Sequence, residues 1–239
     1  MFNSSWIIPN WPVHSRVRAL STTRQGGVSQ GPYASMNIGD HVDDDDAAIA
    51  DNRAVFRKTL PAEPEWLNQI HEDTVVDLSR SDERQADASF TTQPNQVAVI
   101  MTADCLSILL CDMQATIVAA IHGGWRSLAK GIIQKTIEQL GIPSNQLLAW
   151  LGPAIGPKYF QVGADVYAAF PDSPHAFVPD GSKWRADLVA IARHHLNRLG
   201  VTAIYGGEHC TYSDPERFYS YRRDAGKTGR MATAIWLAP

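Results

Sequence analysis

The sequence predicts a layered α+β fold, an α/β sandwich with mixed β-sheets that forms a single domain over residues 1–239. Short apolar runs rich in β-branched residues, typical of buried strands, are interspersed with segments whose apolar residues recur at helical spacing. These two kinds of segment do not alternate strictly, which disfavours a doubly wound nucleotide-binding fold. The chain has no internal repeat and no linker-like stretch that would separate domains.

In the first half of the chain, one helix and several strands are expected. The acidic run 43–46 precedes apolar residues at helical spacing, so we expect its carboxylates to lie at the positive end of a helix dipole. Metal binding by the four adjacent aspartates is the less favoured interpretation. Extended segments at 66–70 and 74–78 flank His71, which therefore lies near a bend. Buried strands are predicted at 97–101, 106–110 and 116–121, and they leave Cys105 and His122 at strand ends.

The second half of the chain continues the mixture of helices and strands. A helix over 127–140 is indicated by apolar residues at helical spacing and by the stop signals Gly141 and Pro143. The remaining expected elements are a strand at 147–151, a helix at 187–199, a strand at 201–205, and an antiparallel pair formed by 217–222 and 230–237.

Composition restricts the classes of protein to which the chain belongs. With 44% hydrophobic and 19% charged residues, it is typical of a soluble globular protein. A formal net charge of −4 provides no basic field for nucleic acid or anionic lipid, and neither is an expected partner. No apolar run is long enough to span a bilayer and nothing resembles an export signal, so a cytoplasmic location is expected. Three cysteines indicate reduced thiols, not a disulfide framework.

Common phosphate-binding and hydrolase motifs are missing from the sequence. There is no Gly-x-Gly-x-x-Gly after a strand and no Gly-x-x-x-x-Gly-Lys-Ser/Thr, which argues against dinucleotide and P-loop enzymes. A Gly-x-Ser-x-Gly elbow is also absent, which disfavours a serine hydrolase of the α/β type.

The residues that carry chemistry are His71, Cys105 and His122, at the ends of three predicted strands. Two imidazoles and a thiolate suit Zn²⁺, and three protein ligands leave a fourth position open for water or substrate. Spacing alone leaves a second interpretation open, in which a buried thiol lies beside two hydrogen-bonded histidines.

Several motifs resemble one known family. His71 lies in Asn-Gln-Ile-His-Glu, Cys105 in Met-Thr-Ala-Asp-Cys, and His122 in Ala-Ile-His-Gly-Gly-Trp-Arg. Further similar stretches occur at 21–29, 86–88, 152–157, 220–224 and 228–230. From about residue 20 to its end, the chain resembles the laccase-domain family, which is multicopper polyphenol oxidase-like and YfiH-type and includes purine nucleoside phosphorylases and peptidoglycan editing factors.

The resemblance implies a metal and a reaction. Members with these motifs bind Zn²⁺ through the residues that match His71, Cys105 and His122, with Cu²⁺ as the alternative metal. They phosphorolyse adenosine, inosine, guanosine and methylthioadenosine and deaminate adenosine, so purine nucleosides and phosphate are the expected partners. The chain departs from the family pattern at Glu72, Ser107, Gly123 and Ser127, and none of these changes removes a ligand.

Around the ligands, the sequence offers candidates for substrate binding and proton transfer. The turn that contains Arg24, Gly26 and Gly27 and the side chains of Arg126 and Arg222 suit a phosphate group, although a solvated arginine is an alternative for each. Gly123 and Gly124 allow close backbone approach, and a helix near Ser127 would offer free amides to an anion. Asp104, beside Cys105, and Asp87 are candidates for a general base or a ligand orienter, with a turn or helix cap as the alternative.

Three other functions remain as alternatives. The same residues would make an amidase with Cys105 as nucleophile and His122 as base, comparable to family members that edit peptidoglycan precursors. Copper-dependent polyphenol oxidation is less favoured, because none of the eight histidines forms a His-x-His pair. A non-catalytic interaction module would have a closed metal site, for which a fourth ligand is lacking.

Overall fold

The computed structural model describes residues 5–239. These residues contain thirteen β-strands and five α-helices, joined by loops and turns. The helices are α1 (Asp46–Arg57), α2 (Trp125–Ala129), α3 (Ile132–Leu140), α4 (Ala164–Ala168) and α5 (Leu188–Arg198). The strands are β1 (Val17–Ser21), β2 (Pro64–Glu65), β3 (Val75–Asp77), β4 (Ala88–Thr91), β5 (Val97–Thr102), β6 (Leu106–Asp112), β7 (Val118–Gly123), β8 (Leu147–Leu151), β9 (Gln161–Val162), β10 (Phe177–Asp180), β11 (Lys183–Ala186), β12 (Ala203–Gly206) and β13 (Met231–Leu237).

The strands form three sheets. A six-stranded sheet has the order β12-β8-β6-β7-β4-β3, with antiparallel pairs at its centre and a parallel pair at each edge. A four-stranded sheet has the order β1-β13-β5-β2, in which only the β2–β5 pair is parallel. A small antiparallel sheet has the order β10-β11-β9. The two larger sheets are therefore mixed, as the sequence predicts.

Alternating side chains on the central strands build the layers. Along β6, Ile108 packs with the helices α2, α3 and α5, whereas its neighbour Leu109 faces the four-stranded sheet. Along β5, Ile100 lies in that same interface, and Val99 lies on the opposite face with Phe56 of α1. Because successive strand residues point to opposite faces, strands buried on both sides are apolar throughout. The predicted α+β sandwich is confirmed, with helices outside two packed sheets.

Helix ends follow the capping residues in the sequence. Asp45 precedes α1 and accepts a hydrogen bond from the backbone N–H of Ala48 at 2.9 Å, so part of the acidic run caps this helix. The helix predicted over 127–140 is wrong as a single element, because it divides into α2 and α3. Gly131, between them, has a φ of 84°, a left-handed conformation that interrupts a helix. None of the helices in residues 5–239 is long and apolar enough to cross a membrane.

The predicted antiparallel pair at the end of the chain is also wrong. β13 pairs with β1 and β5, and residues 217–222 form turns with no strand among them. The backbone N–H of Arg222 donates to the carboxylate of Asp104 at 2.6 Å, and that of Arg223 donates to Ser220 Oγ at 3.2 Å. Because side chains accept these bonds, this segment folds around Asp104 and not beside β13.

Candidate metal centre

Three separate segments bring His71, Cys105 and His122 together. His71 lies in the loop between β2 and β3, Cys105 in the turn between β5 and β6, and His122 near the end of β7. One ligand atom from each residue lies within 4.8 Å of the others. His122 is buried, Cys105 is partly buried and His71 is exposed, so the cluster opens to one side. The structure therefore assembles the residues that the sequence predicts as metal ligands.

The carboxylate of Asp87 holds two of these residues. Asp87 is fully buried directly before β4, which pairs with β7. It lies 2.7 Å from Nδ1 of His122 and accepts hydrogen bonds from the backbone N–H groups of Ile70, His71 and Glu72 at 3.2, 3.0 and 2.7 Å. With Nδ1 engaged, Nε2 of His122 is the ring nitrogen left for a metal. The same bonds fix the backbone of His71, whose φ is 60°.

A second contact ties the His71 loop to the strand before Cys105. The side-chain amide of Gln69 donates to the carbonyl of Met101 at 2.8 Å and accepts from its N–H at 2.7 Å. Met101 belongs to β5, which ends three residues before Cys105. Glu72, on the other side of His71, forms an ion pair with Lys130. Both flanks of the loop are therefore fixed before any metal binds.

Gly124 leaves room for the cluster. A Cβ atom there would lie 3.1 Å from Cδ2 of His71 and 3.4 Å from both Sγ of Cys105 and Cε1 of His122. The backbone at 124 therefore lies close to all three candidate ligands, in agreement with the predicted close approach. A Cβ atom at this position would press on the ring of His71 and would contact the other two ligands at ordinary van der Waals distance.

The charges of Cys105 and His122 are coupled. Burial raises the pKa of the Cys105 thiol, but the positive charge of His122 and hydrogen bonds from both histidines outweigh it and lower that pKa to about 6. Burial lowers the pKa of His122, but the thiolate and the Asp87 carboxylate raise it to about 9. Thiolate is the form of cysteine that binds metals, so the protein already stabilises the ligand form of Cys105.

This donor set fits a metal ion. Imidazole nitrogens and thiolates are ligands of Zn²⁺, and catalytic zinc sites have three protein ligands and an open fourth position. Copper also binds the combination of two histidines and one cysteine. The hydrogen bond from Nδ1 of His122 to Asp87 is the usual second contact of a metal-binding histidine. The open side of the cluster is where a fourth ligand would enter.

The cluster lies in the wall of a cavity of about 620 Å³. Aliphatic side chains share the rest of the lining with aromatic rings and guanidinium groups, and Asp104 is the one carboxylate that residues 5–239 contribute to it. The charged and aromatic residues of this lining, besides the metal cluster, are His41, Asp104, Trp125, Arg126, Phe160, Tyr221, Arg222 and Arg230. The cavity therefore combines flat apolar surfaces with positive charge.

The predicted phosphate-binding residues divide into two groups. Arg126 and Arg222 line the cavity, whereas Arg24, Gly26 and Gly27 are not part of its lining. The Arg24 guanidinium donates to the carbonyls of Ala34 and Pro215 at 2.9 and 3.0 Å, so it braces two loops. Gly27 packs so closely on Asn52 and Ser35 that a side chain would not fit.

Asp104, predicted as a catalytic residue, lies beside Cys105 with its oxygens already engaged. It accepts hydrogen bonds from Thr211 Oγ1 at 2.6 Å, Ser220 Oγ at 3.0 Å and the backbone N–H of Arg222 at 2.6 Å. Its φ is 87°, a left-handed conformation that few non-glycine residues adopt. These contacts anchor the segment that carries Arg222 to the turn that carries Cys105.

Several lining residues had no predicted role. Trp125, Tyr221 and Arg230 occur inside motifs that carry the family resemblance, and this position was the only signal for them. Phe160 lies in a loop outside those motifs, so only the folded chain places it at the cavity.

Comparisons with known proteins identify relatives that match nearly the whole chain. Residues 18–238 match a family model described as multi-copper polyphenol oxidoreductase laccase. A purine nucleoside phosphorylase of Pseudomonas aeruginosa is 49% identical over 240 residues, which cover 98% of this chain and 99% of that protein. The purine nucleoside phosphorylase YfiH of Escherichia coli is 44% identical over 242 residues, with the same two shares.

Solved structures lead to the same family. The crystal structure of a Neisseria meningitidis protein superposes with a TM-score of 0.94 at 44% identity and covers 99% of this chain and 100% of that one. The match of the family model extends over nearly the whole chain, and both relatives align end to end. This chain therefore belongs to the multi-copper polyphenol oxidoreductase laccase family, with YfiH-type purine nucleoside phosphorylases among its relatives.

Proposed function

We propose that this protein is a zinc-dependent purine nucleoside enzyme. It phosphorolyses adenosine, inosine, guanosine and methylthioadenosine, and it deaminates adenosine to inosine. The observation that carries the proposal is the convergence of His71, Cys105 and His122 in the wall of a cavity whose other charges are mostly guanidinium groups. The names of the relatives in Pseudomonas aeruginosa and Escherichia coli support the same substrate class.

The cavity offers aromatic and cationic groups for the two parts of the reaction, and each arginine of the lining lies over one of the aromatic rings. Trp125, Phe160 and Tyr221 provide aromatic faces on which a purine base stacks. Arg126 and Arg222 provide positive charge for phosphate. In phosphorolysis, a phosphate oxygen bonds to C1′ of the ribose while the C1′–N9 bond breaks, and N9 keeps the electron pair and takes a proton from water. A bound Zn²⁺ supplies Lewis-acid polarisation of an oxygen atom beside these groups.

Zinc is favoured over copper by the number of ligands. Three protein ligands with an open fourth position are typical of catalytic zinc, and histidine and cysteine are both zinc ligands. Multicopper oxidases need several copper centres, and His71, Cys105 and His122 form the one candidate cluster within residues 5–239. For this reason we rank polyphenol oxidation below nucleoside chemistry.

The test combines metal analysis with product analysis. The purified protein is assayed for zinc and copper by mass spectrometry and then incubated with adenosine, with and without phosphate. We expect about one zinc per chain, adenine and ribose 1-phosphate only when phosphate is present, and inosine in both samples. Removal of the metal by a chelator should stop both reactions, and re-addition of zinc should restore them. Products that persist after complete zinc removal would refute the proposal.

A second candidate function is favoured by the charges of the metal-free cluster. The low pKa of Cys105, about 6, and the raised pKa of His122, about 9, describe a thiolate–imidazolium pair of the kind that cysteine amidases use. The thiolate would attack the amide carbon of a peptidoglycan precursor, His122 would give its proton to the departing amine, and water would release the acyl group. Amide hydrolysis by zinc-free protein, abolished by a thiol alkylator, would favour this candidate over the nucleoside enzyme.

A further inference from the structure

The cavity carries more positive than negative charge. Arg126, Arg222 and Arg230 line it, and Asp104 is the only carboxylate in its lining. Three hydrogen-bond donors already occupy that carboxylate, and one of them is the backbone of Arg222. The guanidinium charges of the lining are therefore not neutralised by the cavity itself, which favours an anionic ligand.

Arg230 differs from the other two arginines in its surroundings. Arg126 and Arg222 are exposed; the first stacks on Trp125 at 4.3 Å, and the second donates to the carbonyl of Gln161 at 2.9 Å. Arg230 is partly buried, and no carboxylate of residues 5–239 lies within ion-pair distance of it. Burial lowers the pKa of its guanidinium, an effect that the negative charge of Cys105 opposes.

The donors of Arg230 are only partly used. Its Nη1 donates to the carbonyls of Thr228 and Gly229 at 2.9 and 3.1 Å. A guanidinium carries five N–H groups, and within residues 5–239 those of Nε and Nη2 donate no hydrogen bond, so they form the free side of the fork, while the guanidinium lies over the Tyr221 ring at 5.8 Å. Two parallel N–H donors match the spacing of two oxygens of a phosphate group.

The stem of Arg230 is held in place. A Cβ atom at Gly39 would lie 2.7 Å from Cγ of Arg230, so the absence of a side chain at 39 makes room for this stem. The backbone N–H of Arg230 donates to Oδ1 of Asn37 at 2.9 Å, and its carbonyl accepts from the N–H of Ile38 at 3.2 Å. A cation fixed in this way loses little entropy when it binds an anion.

We propose that Arg230 is the main phosphate-binding residue of this cavity and that its guanidinium fork positions the attacking phosphate in the cavity that the metal cluster also lines. The inference rests on the proposed phosphorolysis and adds the residue that distinguishes it from deamination, which needs no phosphate. Arg126 and Arg222, at the exposed part of the lining, add charge without the fixed geometry of Arg230.

Direct binding of inorganic phosphate to the zinc-loaded protein tests this proposal. The variants are Arg230→Gln and Arg230→Lys, and Arg16→Gln is the matched control. Arg16 is also partly buried and donates Nε to the carbonyl of Ala238 at 3.0 Å, but it is not part of the cavity lining. Calorimetry gives the phosphate Kd, and steady-state assays give the phosphate KM and the rate of adenosine deamination.

We expect Arg230→Gln to raise the phosphate Kd and KM roughly 10- to 100-fold, because charge-assisted hydrogen bonds are lost. Zinc content should stay near that of the parent, and the rate of adenosine deamination should fall less than the phosphate-dependent rate. Arg230→Lys should give an intermediate Kd, because it keeps the charge and loses the fork, and it remains informative if Arg230→Gln fails to fold. Arg16→Gln should bind phosphate like the parent.

Two results would overturn the inference. One is a phosphate Kd in Arg230→Gln and Arg230→Lys within twofold of the parent; the other is a parent protein that binds no phosphate. Failure of the proposed function gives a different pattern, in which the parent binds phosphate through Arg230 but cleaves no nucleoside. Nucleoside cleavage that needs phosphate but not Arg230 would leave the proposed function standing and remove this residue from it.

Discussion

The buried carboxylate of Asp87 lies 2.7 Å from Nδ1 of His122 and, through the same oxygen, 3.0 Å from the backbone nitrogen of His71. One oxygen atom therefore orients two candidate ligands that are 51 residues apart in the chain. Asp87 is not itself a candidate ligand, so a substitution at position 87 leaves all three metal donors in place. Asp87 therefore orients two of the ligands without being one of them.

Replacement of Asp87 by asparagine should weaken metal binding without removing a ligand. An asparagine side chain has one acceptor oxygen for the four donors that now meet Asp87, so at least one bond in this network is lost. Changes at partners of this kind typically reduce metal affinity 10- to 100-fold. The affinity of Asp87→Asn for zinc is measured by competition with a chromogenic chelator.

Asp112→Asn is the control for the loss of a buried carboxylate. Asp112 is also buried, at the far end of β6, and it accepts bonds from the backbone and hydroxyl of Thr116 and the backbone of Ile117. We expect it to lower the free energy of unfolding while zinc affinity stays at the parent value. Equal zinc affinities in Asp87→Asn and Asp112→Asn would exclude an orienting role for Asp87.

A methyl group at Gly124 should disturb the metal site and little else. The backbone there has φ −64° and ψ 152°, which alanine adopts freely, so the added Cβ acts through its contacts with the three ligands. We expect Gly124→Ala to lower zinc affinity about tenfold and Gly124→Val to lower it further, because displaced ligands coordinate poorly.

Gly163→Ala is the matched control, since Gly163 occupies the same position before the five-residue helix α4 and also has a negative φ of −81°. It should keep the zinc affinity of the parent. Unfolding midpoints of all three variants show whether an effect at 124 is local. Loss of stability in Gly124→Ala, with unchanged zinc affinity per folded molecule, would contradict the close approach described for this glycine.

Metal removal should change the reactivity of one cysteine in particular. A thiolate bound to metal reacts slowly with alkylators, so Cys105 should be protected in the zinc form and labelled after chelation. Cys111 is fully buried, and burial raises the pKa of its thiol to about 12, so it should react only on unfolding. Cys210, whose Sγ accepts a bond from the N–H of Gly156, should label at one rate in both forms. Peptide mass spectrometry after timed alkylation measures all three, and zinc-independent labelling of Cys105 would argue against its role as a ligand.

The sequence predicts the strands that hold the metal cluster better than the loops that hold the substrate. The strands β5, β6 and β8 are continuous apolar runs because both of their faces are buried, and this pattern is readable without a structure. Cys105 and His122 lie at or near the ends of such strands, whereas His71 lies in the loop between β2 and β3, which Asp87 and Gln69 hold in place. Residues 217–222 have strand-like composition, but the hydroxyl of Ser220 and the backbone N–H of Arg222 donate to Asp104. Side-chain acceptors thus replace a neighbouring strand as hydrogen-bond partners of this segment, and a single sequence gives no sign of that replacement.

The binding partners of individual arginines are also not predictable from the sequence. Arg24 lies in a glycine-rich turn that suits phosphate, yet its guanidinium is used by two backbone carbonyls. Arg230 follows Gly229 at the start of β13 with no distinguishing composition, yet it faces the cavity with free donors. Whether a guanidinium binds carbonyls or an anion depends on which loops surround it, and those loops are distant in sequence.

Cys105 is the residue at which the zinc nucleoside enzyme and the cysteine amidase give opposite expectations. In Cys105→Ser, a hydroxyl that is neutral at pH 7 replaces a thiolate, and it is a far weaker metal ligand. For the zinc enzyme, bound metal and nucleoside turnover should fall together, and His71→Ala should behave in the same way because His71 is also a ligand. For the amidase, Cys105→Ser should abolish turnover at unchanged metal content, whereas His71→Ala should retain activity.

Cys111→Ala, in the apolar interface between the two sheets, serves as the control and should keep both metal content and turnover. Metal content and turnover measured on the same preparations decide between the two, and a fully active, metal-free His71→Ala protein would exclude the zinc enzyme.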